Sequence, residues 1–271
     1  MVKKKILVCG ATGFIGRNIA ERFAIKEDFE VYGTYNKSQP LDNARIKMEK
    51  ADLTINGDVE RVVNSKNILI QAAATTSGVK DTFAKPYYHV TDNAIMNSFI
   101  FRSAHINNIS HVIFLSSSSI YRSSEKPAKE TDFDYDKIVP AYFGVAWTKA
   151  YFEKMCEFYA NLGNVKFTVI RPANVYGPYD KFDLERSHVF GATITKVLTA
   201  KDDKITVWGT GEEKRDLLYV SDLVDFVELA IDKQQSKFGL YNVGTASSIS
   251  INGLVEKIME QAGKKLKIEH D

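Results

Sequence analysis

Three glycines near the start of the chain have the spacing of a phosphate-binding turn, and they follow an apolar run at residues 6–9. The first glycine of such a turn allows a tight exit from a strand. The second lets the backbone approach a pyrophosphate, and the third lets the next helix pack closely. The N-terminus of that helix presents free N–H groups and a positive dipole end. We therefore predict a dinucleotide site rather than a merely structural turn. Its predicted contacts are Gly10, Thr12, Gly13, Phe14, Ile15 and Gly16.

The end of the second predicted strand, residues 30–35, bears on which dinucleotide binds. An acidic residue commonly stands there and accepts hydrogen bonds from the ribose hydroxyls of NAD. This chain has Tyr35, Asn36 and Lys37 instead, and a lysine could meet a 2′-phosphate. We therefore predict NADP, with NAD as the alternative and a solvated surface lysine as the simpler interpretation of Lys37.

Two further positions could contact the adenine. Asp52 and Leu53 could flank the ring, although Asp52 could equally cap a helix that contains Val62.

Four serines, Ser116, Ser117, Ser118 and Ser119, follow another predicted strand, residues 111–115. Hydroxyl groups at the carboxyl end of a parallel strand face the ligand crevice, where they can hydrogen-bond a reacting oxygen. Serine is also common in turns, so position alone leaves both interpretations open.

Short β-branched runs alternate with helical patterns along most of the chain. Predicted strands cover residues 6–9, 30–35, 68–71, 111–115 and 166–170, and helices cover 15–24, 87–104 and 145–162. This alternation predicts an α/β fold with a Rossmann-like, doubly wound parallel sheet.

The pattern changes past Pro172. Helices are predicted at residues 189–198, 223–231 and 251–262, with strands at 205–208 and 217–220. We therefore expect a cofactor-binding domain over residues 1–172 and a smaller substrate-binding region over residues 173–271, with segments that pack back on the first domain.

Composition limits the class of partner. Lys and Arg total 36 against 34 Asp and Glu, so no overall charge attracts nucleic acid or an anionic membrane, and a small-molecule partner is expected. The two cysteines, Cys9 and Cys156, support neither a disulfide framework nor a zinc site, so no metal is predicted. The basic start resembles a signal peptide, but glycines interrupt its apolar run and no later run could span a bilayer. We expect a cytoplasmic protein.

Four motifs together resemble the extended short-chain dehydrogenase/reductase family, the NAD-dependent epimerase/dehydratases of nucleotide sugars. They are the glycine turn, the run Ala72, Ala73 and Ala74, the sequence SSSIY at residues 117–121 and the sequence RPANVYGP at residues 171–178. The resemblance implies hydride transfer between a nicotinamide cofactor and a carbon of a nucleotide-diphosphate sugar, while a serine, a tyrosine and a lysine handle the proton. It places Ser117 and Lys149 in the serine and lysine positions. It also adds the three alanines, Lys149 and Pro172 to the cofactor contacts.

The family's tyrosine is missing, because Val145 stands four residues before Lys149. Tyr142 lies three residues further back and could take its place, or Phe143 could be the displaced aromatic residue. Tyr142 could also be only an aromatic at the helix start. Two hypotheses follow: an enzyme, or a cofactor-binding sensor or scaffold of the same fold that has lost catalysis.

Within the family, segments at residues 180–182, 187–189 and 207–216 most resemble the GDP-L-fucose synthase branch. Members of that branch invert two sugar carbons with a cysteine and a histidine before they reduce the sugar. His188 matches the histidine, but Ser119 replaces the cysteine, and a serine hydroxyl is a poor base. Chemistry at a single carbon is therefore expected.

The same resemblance implies a set of substrate contacts and a homodimer. The implied contacts are Ser118, Ser119, Asn174, His188, Trp208 and Arg215. Arg215 would hold the diphosphate, with an ion pair to Glu212 or Glu213 as the alternative, while Asn242 would be structural. The dimer would form through the helices at residues 87–104 and 145–162. Relatives continue beyond the position of Asp271, so we expect a short tail or a more open substrate pocket.

Overall fold

A seven-stranded parallel sheet forms the centre of the protein in a computed structural model that describes residues 2–75, 86–124, 126–184 and 187–271. The strand order is β3-β2-β1-β4-β5-β6-β11, and every neighbouring pair is parallel. These strands are β1 (Lys4–Cys9), β2 (Phe29–Tyr35), β3 (Ile46–Lys50), β4 (Ile68–Gln71), β5 (His111–Leu115), β6 (Lys166–Pro172) and β11 (Phe238–Val243). The order reverses on either side of β1, which places a ligand crevice at the carboxyl end of that strand.

Helices cover both faces of this sheet, which confirms the predicted doubly wound α/β fold. They are α1 (Phe14–Ala24), α2 (Asn56–Val63), α3 (Pro86–Ile106), α4 (Phe143–Leu162), α5 (Val189–Thr199), α6 (Val220–Lys233) and α7 (Ile251–Ala262). One face buries an aromatic cluster in which Phe101, Phe114, Phe152 and Phe167 meet edge to face. Helices α1 and α6 pack on the other face.

Short strands join the remaining segments in pairs. β7 (Asn174–Tyr176) pairs with β10 (Leu217–Tyr219), β8 (Lys204–Val207) with β13 (Lys267–His270), and β9 (Lys214–Arg215) with β12 (Ile249–Ser250). A small core of Val197, Ile205, Val207 and Val255 stabilises this part of the chain. Both α6 and β11 return to the main sheet.

The differences from the predicted elements have local causes. β3 was missed because it is an edge strand in which three of the five residues of IKMEK are charged, so it lacks an apolar alternation. Val220 was predicted in a strand but begins α6, and Trp208 lies just beyond β8. Helix α4 begins two residues before the predicted start at Val145. No helix in the described part of the chain has the length and apolar character needed to cross a membrane.

Candidate active site

The glycine turn closes tightly between β1 and α1. Gly10 has a φ of +74°, and a Cβ there would lie 2.7 Å from the Cα of Ala73. A Cβ on Gly16 would lie 2.2 Å from the carbonyl oxygen of Gly10. Both positions therefore need glycine. Gly10 needs it because of its positive φ and the nearby backbone of Ala73, and Gly16 needs it so that the helix can pack closely on the turn.

Gly13 leaves the turn open toward a ligand. It immediately precedes α1, and because it has no side chain it cannot cap the first N–H groups of that helix. A Cβ on Gly13 would meet the Gly10 carbonyl oxygen at 3.3 Å and no other described residue beyond its chain neighbours. Phe14, Ile15 and Gly16 form the first turn of α1, so free N–H groups and an uncrowded backbone fit a pyrophosphate.

The residues after β2 form a polar rim beside the turn. The hydroxyl oxygens of Thr12 and Ser38 are 2.7 Å apart. Asn36 and Lys37 are exposed, while Tyr35 is half-buried at the end of β2. A cation and two hydroxyl groups here match the donors that a phosphate needs.

Asp52 does not cap a helix. Helix α2 begins at Asn56 after Ile55, so that alternative was wrong. Instead the side chain and backbone N–H of Thr54 donate to Asp52, and these bonds, aided by the Asn36 amide, lower the pKa of Asp52. Leu53 is buried in the core beside α2.

The alanine run lies next to the glycine turn. The N–H of Ala72 donates to the carbonyl oxygen of Cys9 at 3.2 Å, and that of Ala73 donates to the Gln71 side chain at 3.2 Å. Ala74 is exposed. The backbone of Ala73, just after β4, approaches Gly10 so closely that position 10 has no room for a side chain.

The serines after β5 form a short helical turn. The Ser117 hydroxyl oxygen accepts from the N–H of Ser119 at 3.1 Å and lies 2.8 Å from the Ser119 hydroxyl oxygen. Ser117, Ser118 and Ser119 are half-buried. Ser116, by contrast, is buried and donates to Glu153.

Lys149 reaches this turn from α4. Its Nζ donates to the carbonyl oxygen of Leu115, the last residue of β5, at 2.8 Å. It also lies 4.9 Å from the centre of the Phe114 ring. Burial lowers the pKa of Lys149 to about 8, while the charge of Glu153 acts in the opposite direction. The structure thus brings Ser117 and Lys149 to the same strand end.

Val145 is half-buried one helical turn before Lys149. Tyr142 directly precedes α4, and its side chain is 54% exposed; that of Phe143 is 60% exposed. Tyr142 lies seven positions before Lys149 and just outside the helix that carries the lysine. Val145, within α4, lies between these two positions in the sequence.

The residues matched to substrate binding lie beyond β6. The side-chain amide of Asn174 donates to the carbonyl oxygen of Asp216 at 3.1 Å. Arg215 is exposed, and across the described residues no carboxylate is within ion-pair distance of it, so the alternative of a pair with Glu212 or Glu213 was wrong. Trp208 is 73% exposed.

Other matched residues border this region. His188 is exposed immediately before α5, and Pro172 is buried at the end of β6. Neither His188 nor Trp208 hydrogen-bonds to Ser117 or Lys149 in the part of the chain that is described.

A buried ion pair that the sequence did not predict lies behind the serines. Glu153 on α4 and Arg171 on β6 are 3% and 2% exposed and form a bidentate pair through Nε and Nη2 of the guanidinium. Asn242, expected to be structural, accepts from Tyr121 at 2.8 Å within the same network. A glutamate one turn after Lys149 and an arginine in a largely apolar strand were the available signals.

Comparisons with known proteins find similar chains. The model of the NAD dependent epimerase/dehydratase family matches residues 6–244. A GDP-L-fucose synthase from Sinorhizobium fredii is 30% identical over 274 residues, covering 99% of this chain and 83% of that protein. A GDP-L-colitose synthase from Yersinia pseudotuberculosis is 30% identical over 268 residues, covering 96% and 83%.

Solved structures share the fold. The UDP-N-acetylglucosamine 4-epimerase from Methanobrevibacter ruminantium, in complex with UDP-N-acetylmuramic acid, has a TM-score of 0.86 at 26% identity and covers 100% of this chain and 86% of its own. The UDP-glucose 4-epimerase from Thermus thermophilus, in complex with NAD, has a TM-score of 0.83 at 24% identity, with 98% and 85% covered.

Proposed function

Because this chain belongs to the NAD-dependent epimerase/dehydratase family, we propose that it reduces or epimerises a nucleotide-diphosphate hexose at one sugar carbon, with NADP as its cofactor. The observation that carries this proposal is the position of the glycine turn, Ser117 and Lys149 along the carboxyl edge of one parallel sheet. At that edge a reacting sugar can meet both a cofactor and proton-handling groups.

The bound nicotinamide would supply or accept the hydride. Gly10, Gly13 and Gly16 with the start of α1 would hold the pyrophosphate. Lys37, with the Thr12 and Ser38 hydroxyls, would bind the 2′-phosphate that distinguishes NADP. Leu53 and Asp52 would border the adenine, and Lys149 would hold the nicotinamide ribose. The alanine run and Pro172 would line the rest of the cofactor site.

The chain's own residues would handle the proton. Ser117 would donate a hydrogen bond to the sugar oxygen, and Tyr142 would exchange the proton in place of the residue lost at Val145. Ser119 stands where a cysteine would be needed for a double inversion, and a serine hydroxyl is far less acidic than a thiol. This chemistry supports a change at a single carbon.

The substrate would lie between the cofactor and the segments after β6. Among the described residues Arg215 pairs with no carboxylate and donates only to the Lys214 carbonyl oxygen, so its guanidinium suits a diphosphate, and Asn174, which binds the backbone of Asp216, would contact the sugar nucleotide. His188, Trp208 and Ser118 would complete the pocket. In this arrangement residues 1–172 bind the cofactor and residues 173–271 supply most substrate contacts.

Turnover tests the proposal directly. The purified protein is incubated with NADP(H) or NAD(H) and a panel of GDP-, UDP-, CDP- and dTDP-hexoses, and both nicotinamide absorbance and sugar configuration are followed. Turnover of one nucleotide hexose is expected. Cofactor binding without turnover across the panel would instead favour the sensor or scaffold, for which the valine at position 145 is the supporting observation.

A pair of variants tests the tyrosine. Tyr142→Phe removes only the phenolic hydroxyl and is expected to lower kcat at least 100-fold. Adding Val145→Tyr to that variant restores a tyrosine one turn before Lys149 and should recover much of the lost rate. Tyr151→Phe, at an exposed tyrosine within α4, is the control. Unchanged turnover in Tyr142→Phe would exclude an acid/base role.

A further inference from the structure

We propose that Glu153 and Arg171 are positioning residues. Their ion pair binds both ends of the turn that carries Ser117 and holds this turn next to Lys149. This inference rests on the proposed function, since it concerns how the residues of that reaction are held. Neither residue touches the crevice, because both are almost fully buried behind it. They act through the groups that they hold.

Glu153 holds the first end of the turn. Its carboxylate accepts from the hydroxyl of Ser116, the residue immediately before Ser117. The same carboxylate binds Arg171 through Nε to Oε1 at 3.0 Å and Nη2 to Oε2 at 2.6 Å. A bidentate pair of this kind fixes the direction as well as the distance between its two partners.

Arg171 holds the other end. Its remaining nitrogen, Nη1, donates to the hydroxyl of Tyr121, which closes the turn, and to the carbonyl oxygen of Glu130 at 3.0 Å. Tyr121 in turn donates to Asn242 on β11 at 2.8 Å. One ion pair therefore ties α4, β6, β11 and both ends of residues 116–121 into a single unit.

Stability alone does not account for such a pair. A buried ion pair is often no more stabilising than well-packed apolar residues of similar volume in its place, because both charges lose their hydration. What an apolar replacement cannot do is bind Ser116 and Tyr121 at the same time. The cost of burial is therefore consistent with a role in positioning.

The pair also acts on Lys149, which lies one turn before Glu153 on the same helix. Burial lowers the pKa of Lys149, and the negative charge of Glu153 counteracts that effect. The other titratable group acting on Lys149 is Cys156, whose own pKa is raised far by burial, so its thiol stays neutral. Arg171, from β6, faces Glu153, and Tyr121 faces Arg171. Removing the Glu153 charge should therefore lower the pKa of Lys149 below about 8.

The test compares Glu153→Gln with Glu157→Gln, one turn further along α4, where the carboxylate pairs with exposed Lys154. Glu153→Gln is expected to lower kcat at least tenfold with little change in KM and to move the Lys149 titration to lower pH, measured by NMR of labelled lysine side chains and assigned with Lys149→Arg. Glu157→Gln should change neither. An unchanged kcat together with an unchanged Lys149 titration would overturn the proposal.

Two further variants cover the outcome in which Glu153→Gln leaves Arg171 unpaired and does not fold. Glu153→Gln with Arg171→Met removes both buried charges, and Ser116→Ala removes only the contact to the turn. The double variant removes charges of both signs, so it should shift the Lys149 titration less than Glu153→Gln does while still lowering kcat, and Ser116→Ala should lower kcat without shifting the titration. If both behave like the wild type, the pair is merely structural. The titration needs no substrate, so its result is separate from any failure to find turnover.

Discussion

Gly16 lies directly against the carbonyl oxygen of Gly10, so that a Cβ at position 16 would stand 2.2 Å from that atom. The contact sets the distance between the first turn of α1 and the end of β1. The N–H groups that would bind a pyrophosphate depend on that distance. A single added methyl group therefore offers a test of the cofactor site.

Gly16→Ala is expected to weaken cofactor binding at least tenfold, because α1 must move away from the turn to relieve the overlap. Gly57→Ala is the matched control, since a Cβ there meets nothing within 4 Å in the described chain. That variant should bind cofactor normally and gain about 0.5–1 kcal/mol of stability from better helix propensity. Fluorescence titration with NADP measures the affinity of the two variants for the cofactor. Equal affinity in the two variants would contradict the assignment of the turn.

Lys37 should decide the choice between NADP and NAD. It is exposed beside the Thr12 and Ser38 hydroxyls, so its ammonium group can meet a 2′-phosphate. We expect the wild type to bind NADP at least tenfold more tightly than NAD, and Lys37→Ala to bring the two dissociation constants close together by weakening NADP alone. Lys201→Ala, at an exposed lysine elsewhere, should leave both unchanged. A tenfold preference for NAD in the wild type would refute the prediction.

The sequence predicted most of the parallel sheet and the glycine turn because both depend on local patterns. Gly10 and Gly16 are spaced by the geometry of one turn, and buried strands such as β4 and β5 are short, continuous apolar runs. β3 was not predicted because an edge strand pairs with only one neighbour and tolerates charged side chains.

The buried hydrogen-bond network around Arg171 could not be predicted from the sequence for a different reason. Glu153 and Arg171 are 18 positions apart in the sequence, and nothing local shows that their side chains meet. The same holds for Tyr121 and Asn242, which are 121 positions apart. Lys149 was found through family resemblance, whereas its contact with the Leu115 carbonyl oxygen depends on how α4 packs across β5.

Arg215 should contribute to substrate binding and not to cofactor binding. Its guanidinium is exposed on β9, far along the chain from the glycine turn, and donates only to the adjacent Lys214 carbonyl oxygen among described groups. Arg215→Ala is expected to raise the KM for the nucleotide sugar roughly 10- to 100-fold, the range for losing a charge-assisted hydrogen bond of about 1.5–3 kcal/mol. Cofactor affinity should stay constant. Lys214→Ala is the neighbouring control, and a loss of cofactor affinity alone would refute this role.

Exposed aromatic side chains on α3 and α4 support the expected homodimer. Tyr87 on α3 is 56% exposed, and Tyr151 and Phe158 on α4 are 53% and 59% exposed. Large apolar side chains gathered on adjacent helices are typical of a protein interface. The mass in solution at micromolar concentration should be that of two chains, and Tyr151→Glu with Phe158→Glu should halve it. Leu229→Glu, at an exposed residue of α6, is the control. A monomeric wild type would contradict the prediction.

His111 should make the protein sensitive to mild acid. Its ring is buried at the start of β5, with Nε2 2.7 Å from the hydroxyl oxygen of Thr168. Burial, reinforced by the charge of Lys166, lowers the pKa of His111 from 6.5 to about 4. Because the folded pKa lies below the unfolded one, the unfolded chain binds more protons between these values. The contribution of His111 to the free energy of unfolding is therefore fully present above pH 6.5 and is lost progressively as the pH falls toward 4.

Urea unfolding at pH 7 and pH 5 measures this effect. Between pH 6.5, the unfolded pKa of His111, and pH 5, the free energy of unfolding of the wild type should fall by on the order of 2 kcal/mol through this residue. His111→Gln should remove that part of the pH dependence, because an amide does not titrate, while other groups continue to contribute equally in both proteins. His270→Gln, at an exposed histidine, should keep the full wild-type dependence. If His111→Gln loses as much stability between pH 7 and pH 5 as the wild type, the buried neutral ring is not the source of the acid sensitivity.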